Sequence, residues 1–319
     1  MPRADRVATR THRMPAAQRR RQGASTPASQ PVNRRVSARH YKKERRDMHL
    51  DSKWSGKVIV ITGATGGIGR EIALQLAPSS PRLVLVGRDE ARLSGAAQEC
   101  ARLGAAVYTV LADLSNQADC ARAIDEAVNR FGGIDALFCV AGQAMKGGFA
   151  SADAPDATVD LMRVNYGSVV YLCHRALPQL LQRQGRIAVV AGLVGHVGVP
   201  GYTAYSATKH AVVGFCRALR HELATRGVSV TLINPDTVRT GIRENMRNAS
   251  GSPAPEPYGN EAVMEPADCA RHAIAATEAR QRECSFGRVR LLRTLQAVLP
   301  NVLDNLLARS MKAATQAKR

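Results

Sequence analysis

Six short runs of β-branched and aliphatic residues recur along the chain, with longer stretches of helical period between them. They are Val58-Ile59-Val60-Ile61, Leu83-Val84-Leu85-Val86, Ala106-Val107-Tyr108-Thr109-Val110, Ala136-Leu137-Phe138-Cys139-Val140, Ile187-Ala188-Val189-Val190 and Val228-Ser229-Val230-Thr231-Leu232-Ile233. These runs are apolar throughout rather than alternating, the pattern of strands covered on both faces. Such strands separated by helices predict an α/β, doubly wound parallel sheet of Rossmann type in a single domain. A seventh strand is predicted around Cys284 to Phe286. Within residues 241–266 the pattern breaks into Asn, Ser, Gly and Pro, including Pro253, Pro255 and Pro257. That stretch follows a strand's carboxyl end, where ligands bind in such sheets, so it is a candidate substrate lid; a mobile surface connection is the alternative.

Near the C-terminus, Leu292, Leu295, Leu299, Leu303, Leu306 and Leu307 fall on one helical stripe, with Arg293, Arg309 and Lys312 close by. Pro300 is expected to divide the stripe into two helices. The stripe predicts packing onto the body or onto a partner subunit, with shallow membrane contact as the alternative. The expected organisation is therefore a basic extension at 1–52, a folded domain at 53–287 and an amphipathic helical extension at 288–319.

Charge separates the first of these from the rest. Residues 1–47 carry 14 Lys/Arg against three acids, a net of +11 within a whole-chain charge of +19, which leaves +8 on the body. With almost no large apolar side chains, the tail cannot build a core. It admits three readings: a solvated disordered arm, an Arg/Ser-rich targeting peptide, or translated leader ahead of a true start at Met48. Nucleic-acid binding is disfavoured, because runs such as Arg19-Arg20-Arg21 lack interleaved aromatics. Seven cysteines without a C-x-x-C pair argue against a zinc site and a disulfide framework, and fit a reducing, cytoplasmic setting. No apolar run reaches 18 residues, so no membrane span is expected.

Candidate chemistry begins after the first run, at Thr62-Gly63-Ala64-Thr65-Gly66-Gly67-Ile68-Gly69. Between a strand and a helix, glycines let the chain turn tightly and bring a pyrophosphate against backbone N–H groups at the helix N-terminus. In this setting the T-G-x-x-x-G-x-G spacing resembles that of the short-chain dehydrogenase/reductase family. The resemblance runs from about residue 53 to the C-terminus and implies a nicotinamide cofactor. At the end of the second strand, where members using NAD usually carry an acid, the chain has Gly87 followed by Arg88. Nothing anionic there repels a 2′-phosphate and a guanidinium can pair with it, so NADP(H) is expected; a solvated loop charge is the alternative for Arg88. Asp113 and Leu114 match the family's adenine-side dipeptide, although Asp113 could instead cap the following helix. Ala141 and Gly142 match the end of the family's Asn-Asn-Ala-Gly, with Cys139 and Val140 in place of the asparagines. Pro235, Thr237, Val238 and Thr240 resemble the segment that touches the nicotinamide carboxamide, with Asp236 where the family has glycine.

Tyr205 and Lys209 stand in Tyr-Ser-Ala-Thr-Lys, an i, i+4 pair that shares one helix face. The resemblance assigns Tyr205 as the acid/base, Lys209 as the cation that lowers its pKa, and Asn165 in Val164-Asn165-Tyr166-Gly167 as the active-site asparagine. The family's serine, thirteen residues before the tyrosine, is here Gly192, which with Val194 is assigned to the substrate side. Loss of one such donor commonly costs on the order of 100- to 1,000-fold in rate. Three accounts stay open: a slower reductase, a donor supplied by another residue or a water, or an NADP(H)-binding sensor or scaffold without turnover. His196, Thr203 and Ser206 lie near in sequence. Features such as Gly87-Arg88 and Pro235-Asp236-Thr237 resemble reductases of 3-ketodihydrosphingosine and related apolar ketones, and imply a lipid-like, 3-oxoacyl or steroid-like substrate. The family's habit implies a homodimer or homotetramer.

Overall fold

The computed structural model describes residues 53–151, 155–259 and 263–316, with side chains described as far as residue 309. The basic extension expected at 1–52 lies outside the described residues. Seven parallel strands form one sheet in the order β3-β2-β1-β4-β5-β6-β7. They are β1 (Val58–Thr62), β2 (Arg82–Gly87), β3 (Ala106–Leu111), β4 (Ala136–Cys139), β5 (Arg186–Val190), β6 (Ser229–Asn234) and β7 (Glu283–Ser285). The chain order reverses beside β1, which opens a crevice at the carboxyl ends of β1 and β4.

Helices cover both faces because the strands are apolar on both. They are α1 (Gly67–Leu76), α2 (Glu90–Arg102), α3 (Gln117–Phe131), α4 (Pro155–Met162), α5 (Ser168–Gln182), α6 (Thr203–Ala224) and α7 (Pro266–Glu278), followed by α8 (Val289–Val298) and α9 (Pro300–Gln316). One buried cluster sets Val60, Leu137, Ile187 and Val230 against Ile124, Leu172 and Val212, the face of α3, α5 and α6. The other sets Ile59, Leu83, Phe138 and Ala188 against Ile72, Leu93 and Ile274, the face of α1, α2 and α7. Six of the seven free cysteines are buried, and burial pushes the Cys100 thiol up to about 11 and those of Cys120 and Cys269 to about 12. They act as small apolar fillers.

Pro300 does divide the C-terminal extension, as the first residue of α9. The stripe is only partly covered: Val289 and Leu303 are buried, whereas Leu291, Val298, Leu299, Val302 and Leu306 are exposed. Among the described residues no helix is long and apolar enough to cross a membrane.

Candidate active site

The turn from β1 into α1 is shaped by missing side chains. Gly63 holds φ +67°, and a Cβ there would come within 3.0 Å of the Ala141 backbone. On Gly69 it would lie 2.4 Å from the Gly63 carbonyl oxygen, so α1 sits directly on the turn that precedes it. On Gly67, at φ +52°, it would strike the Thr240 methyl at 2.8 Å. Ile68 is buried in the core, while Gly66 is exposed in front of the helix's first, unpaired N–H groups. This cradle, with its free amides and positive helix end, fits a nicotinamide dinucleotide's pyrophosphate. Thr62 ties the strands at this point: its hydroxyl oxygen accepts from Val140 N at 3.0 Å and Ala141 N at 3.1 Å, locking β1 to the end of β4.

On the adenosine side, a Cβ on Gly87 would meet the Thr65 methyl at 2.5 Å. Thr65 thus occupies the space that a larger residue at 87 would need. Arg88 is exposed, and the acid after it is already engaged, since Asp89 caps α2 by accepting from Arg92 N at 3.0 Å. Asp113 does not cap α3. Its carboxylate accepts from Ser115 N at 3.0 Å and Ser115 Oγ at 2.9 Å, while Asn116 makes the cap by accepting from Ala118 N at 2.9 Å. Leu114 is buried in the core beneath.

Three side chains converge at the centre. Asn165 lies in a π-helical turn, Arg163–Gly167, between α4 and α5. Its Oδ1 accepts from Gln143 N at 2.8 Å, and its Nδ2 donates to Gln143 O at 2.9 Å and Thr208 Oγ1 at 3.0 Å. Lys209, buried on α6, donates from Nζ to the Val190 carbonyl at 2.9 Å and stands 5.9 Å from the Tyr205 ring centre. A Cβ on Gly142 would lie 3.2 Å from Asn165 Oδ1 and 3.5 Å from Lys209 Nζ, so only a glycine leaves the approach to both open. Burial pulls the Lys209 ammonium down to about 8 and pushes the Tyr205 phenol up to about 12. Burial is the first cause of both shifts, and Lys209 Nζ donates to the Val190 carbonyl on the same face of α6 as the phenol.

Gly192 carries φ +94° and ψ 177°. A Cβ there would have room, 3.5 Å from the Pro235 carbonyl oxygen, but a positive φ strains any other residue. The serine is thus absent together with the backbone conformation that would suit it. Of the neighbouring groups, Ser206 is buried with its Oγ accepting from Val199 N at 3.4 Å, Thr203 is exposed, and His196 Nε2 is buried without a hydrogen-bond partner among the described residues. Val194 is half-buried in the short turn that follows. Pro235 is fixed by Leu193 N donating to its carbonyl at 3.0 Å, and Thr237 O accepts from Met264 N at 2.9 Å. Val238 bridges to Met264, and Thr240 N donates to the Tyr258 hydroxyl at 2.8 Å.

The described part of the loop expected as a lid makes hydrogen bonds to the segment after β4. Lys146 N donates to Arg247 O at 2.9 Å, Arg247 N donates to Ala144 O at 3.1 Å, and Gly147 N donates to Gly201 O at 2.8 Å. Above these, Glu256 accepts from the Tyr202 hydroxyl at 2.9 Å and pairs with Lys146. Burial alone would raise the Glu256 carboxyl, but Lys146 and Tyr202 outweigh it and hold it low. The Tyr202 ring lies 6.4 Å from that of Tyr205, and beside it a small, mainly apolar cavity is lined by Met145, Phe149, Thr158, Thr203, Ala204 and Ala249. Lys146, Tyr202 and Glu256 were not singled out from the sequence; they stand 54 to 110 residues apart and no local motif links them.

Comparison with known proteins places this geometry among similar ones. A family model described as short chain dehydrogenase matches residues 57–251. The chain is 33% identical over 246 residues to an 11-beta-hydroxysteroid dehydrogenase of Pinus massoniana, covering 72% of this chain and 67% of that protein. It is 36% identical over 190 residues to the 11-beta-hydroxysteroid dehydrogenase-like 4A of Arabidopsis thaliana, covering 59% of this chain and 63% of that one. With dehydrogenase/reductase SDR family member 7B of Danio rerio it shares 34% over 206 residues, covering 61% and 65%. Against the last two, the chain spans slightly less than two thirds of the relative's length. Among solved structures, a short-chain dehydrogenase/reductase of Burkholderia phymatum in complex with NAD superposes with a TM-score of 0.69 at 27% identity, covering 77% of this chain and 95% of that one.

Proposed function

Because the chain belongs to the short-chain dehydrogenase/reductase family of oxidoreductases, we propose that it transfers hydride between NADP(H) and an apolar, lipid-like ketone or secondary alcohol, with Tyr205 as the acid/base. The observation that carries this reading is the meeting of Asn165 Oδ1 and Lys209 Nζ over Gly142, with the Tyr205 ring 5.9 Å from Lys209 Nζ. When bound, the dinucleotide supplies hydride from C4 to the carbonyl carbon. Tyr205 gives its phenolic proton to the carbonyl oxygen, so that ketone, NADPH and a proton become alcohol and NADP⁺. Lys209 holds positive charge beneath the phenol, and Asn165 with Thr208 orders the polar path behind it. NADP(H) is preferred over NAD(H) because Arg88 is exposed at the end of β2 while Asp89 is engaged as a helix cap. The steroid dehydrogenase names of the relatives support an apolar ketone of the steroid-like, 3-oxoacyl or 3-ketosphinganine kind.

The same reading places the chain in the cytoplasm as a homodimer or homotetramer, with the exposed leucines of α8 and α9 and Arg290 and Arg309 available for peripheral contact with an anionic membrane. Sedimentation with anionic and with zwitterionic vesicles tests that contact. Binding to the anionic vesicles alone supports it, and binding to neither removes it.

One observation favours a second reading, an NADP(H)-binding sensor: Gly192 offers no side-chain donor. Gly192→Ser does not separate the two readings, because at φ +94° the serine costs about 1–2 kcal/mol of strain and is expected to lower Tm without raising activity. The separating experiment is NADPH oxidation by purified protein across a panel of apolar ketones, with Tyr205→Phe as control and a parallel NADPH titration. Turnover lost in the control establishes the reductase; tight binding without turnover on any ketone establishes the sensor.

A further inference from the structure

Asp236 stands where the family resemblance expects glycine, and its surroundings give it a task. Its carboxylate accepts from Arg288 Nε at 2.8 Å and Nη2 at 3.0 Å, and from the Arg288 backbone N at 3.2 Å. The Asp236 side chain is 13% exposed and the Arg288 side chain 60%, so this is a planar, two-toothed pair in which a shielded carboxylate is gripped from the solvent side. Gly287 is shaped to permit it: at φ +54°, a Cβ there would press to 3.2 Å on Asp236 Cβ and Oδ2. Arg288 opens the C-terminal extension, directly ahead of α8. At the other end of the same segment, the Thr240 methyl rests over Gly67 in the pyrophosphate cradle, and the Pro235 carbonyl is held by Leu193 N beside Gly192.

We propose that Asp236 and Arg288 are positioning residues which clamp the 235–240 segment over the dinucleotide site, so that the C-terminal extension is part of the cofactor grip. This rests on the NADP(H) reading above. The clamp sets where Thr237, Val238 and Thr240 stand relative to the cradle. A glycine at 236 would leave the Thr237 to Thr240 end of that segment held by Met264 and the Tyr258 hydroxyl, and its start by Leu193 N, with no tie to the C-terminal extension.

The test is NADPH titration of the full chain, followed by fluorescence, for Asp236→Ala, Arg288→Ala and the double variant, alongside Tm and the split between KM for NADPH and kcat. Each single variant is expected to weaken NADPH by roughly 5- to 20-fold and to raise its KM more than it lowers kcat, and the double variant to be no weaker than the worse single, as residues acting as one unit behave. Arg288→Lys, which keeps the charge but loses the planar fork, is expected to fall between wild type and Arg288→Ala. A clamp that merely fastens α8 would lower Tm with NADPH affinity unchanged. Affinities within twofold of wild type in both single variants would therefore overturn the inference. Absence of NADPH binding by the wild type would overturn the cofactor reading, and this inference with it.

Discussion

The two halves of the crevice are held in different ways. On the side of β1, β2 and α1, geometry is set by what is missing: Gly63, Gly67, Gly69 and Gly87 leave backbone or a single methyl within 3.0 Å of where a Cβ would stand. On the side of β5, β6 and the 241–259 loop, geometry is set by long side chains reaching far along the chain, as in Lys146–Glu256, Tyr202–Glu256 and Asp236–Arg288. The first half follows the family spacing closely. The second carries departures at Gly192 and Asp236, while between the halves, at the end of β4, Cys139 and Val140 stand where the family has asparagines. Backbone approach to a pyrophosphate tolerates little variation, whereas a substrate pocket can be rebuilt by exchanging side-chain contacts over the same sheet.

The sharpest way to break this contrast is Gly69→Ala. Its methyl would meet a carbonyl oxygen at 2.4 Å, and backbone cannot yield as a side-chain tip can. NADPH affinity is expected to fall by about 100-fold or more, with about 1–3 kcal/mol of stability lost to overpacking; retention of wild-type affinity in a titration would show that the cradle is not the cofactor site.

Next in size is the pH response. Lys209 is pulled down to about 8, so its ammonium is lost as pH rises through that value in the free enzyme, and kcat/KM for ketone reduction is expected to fall roughly tenfold per unit above it. Stability moves the other way. The unfolded lysine keeps its proton towards 10.5, so the unfolded chain binds more protons between about 8 and 10, and the contribution of Lys209 to stability rises with pH there. Above 10 the sign reverses for Tyr205, which stays protonated to about 12 when folded and loses its proton near 10 when unfolded. A pH–rate profile flat to pH 10 would contradict the buried ammonium.

Arg88→Ala probes the adenosine side more gently. Loss of an exposed cation facing a phosphate is expected to weaken NADPH by about tenfold and leave NADH almost unaffected. Equal loss for both nucleotides, read from parallel titrations, would remove Arg88 from 2′-phosphate recognition. The smallest effect is expected on the substrate side: Glu256→Gln keeps the shape but drops the charge that faces Lys146, and should raise KM for an apolar ketone roughly threefold with kcat little changed. An unchanged KM would show that the latch does not border the substrate.

This division also governs how much could be read from the sequence. The six apolar runs became β1 to β6 with no end shifted by more than one residue, because burial on both faces writes itself into composition; the edge strand β3 is the exception, being largely exposed. The three-residue β7, Glu283–Ser285, lies one residue from the expected position; a short edge strand leaves little pattern. The glycine turn at Gly63 and Gly67 and the i, i+4 pair Tyr205 and Lys209 could be picked out by local spacing, whereas Asn165 was picked out only through the family resemblance. The positive φ of Gly192 was not, since glycine is compatible with many conformations. Nor were the Thr62 tie to Val140 and Ala141, the Asn116 cap that released Asp113, or the Glu256 latch, for each joins residues by tertiary contact or by a choice between two adjacent polar side chains.

The central claim is that Tyr205 completes a hydride transfer without the usual serine. A single-turnover reaction with NADPH deuterated at C4 and an apolar ketone, with the product examined by mass spectrometry, tests it most directly. The account predicts one deuterium on the carbinol carbon for the wild type, and a rate at least about 100-fold lower for Tyr205→Phe at unchanged NADPH affinity. Deuterium transfer proceeding equally fast in Tyr205→Phe, or no transfer to any ketone by a wild type that binds NADPH tightly, would contradict it.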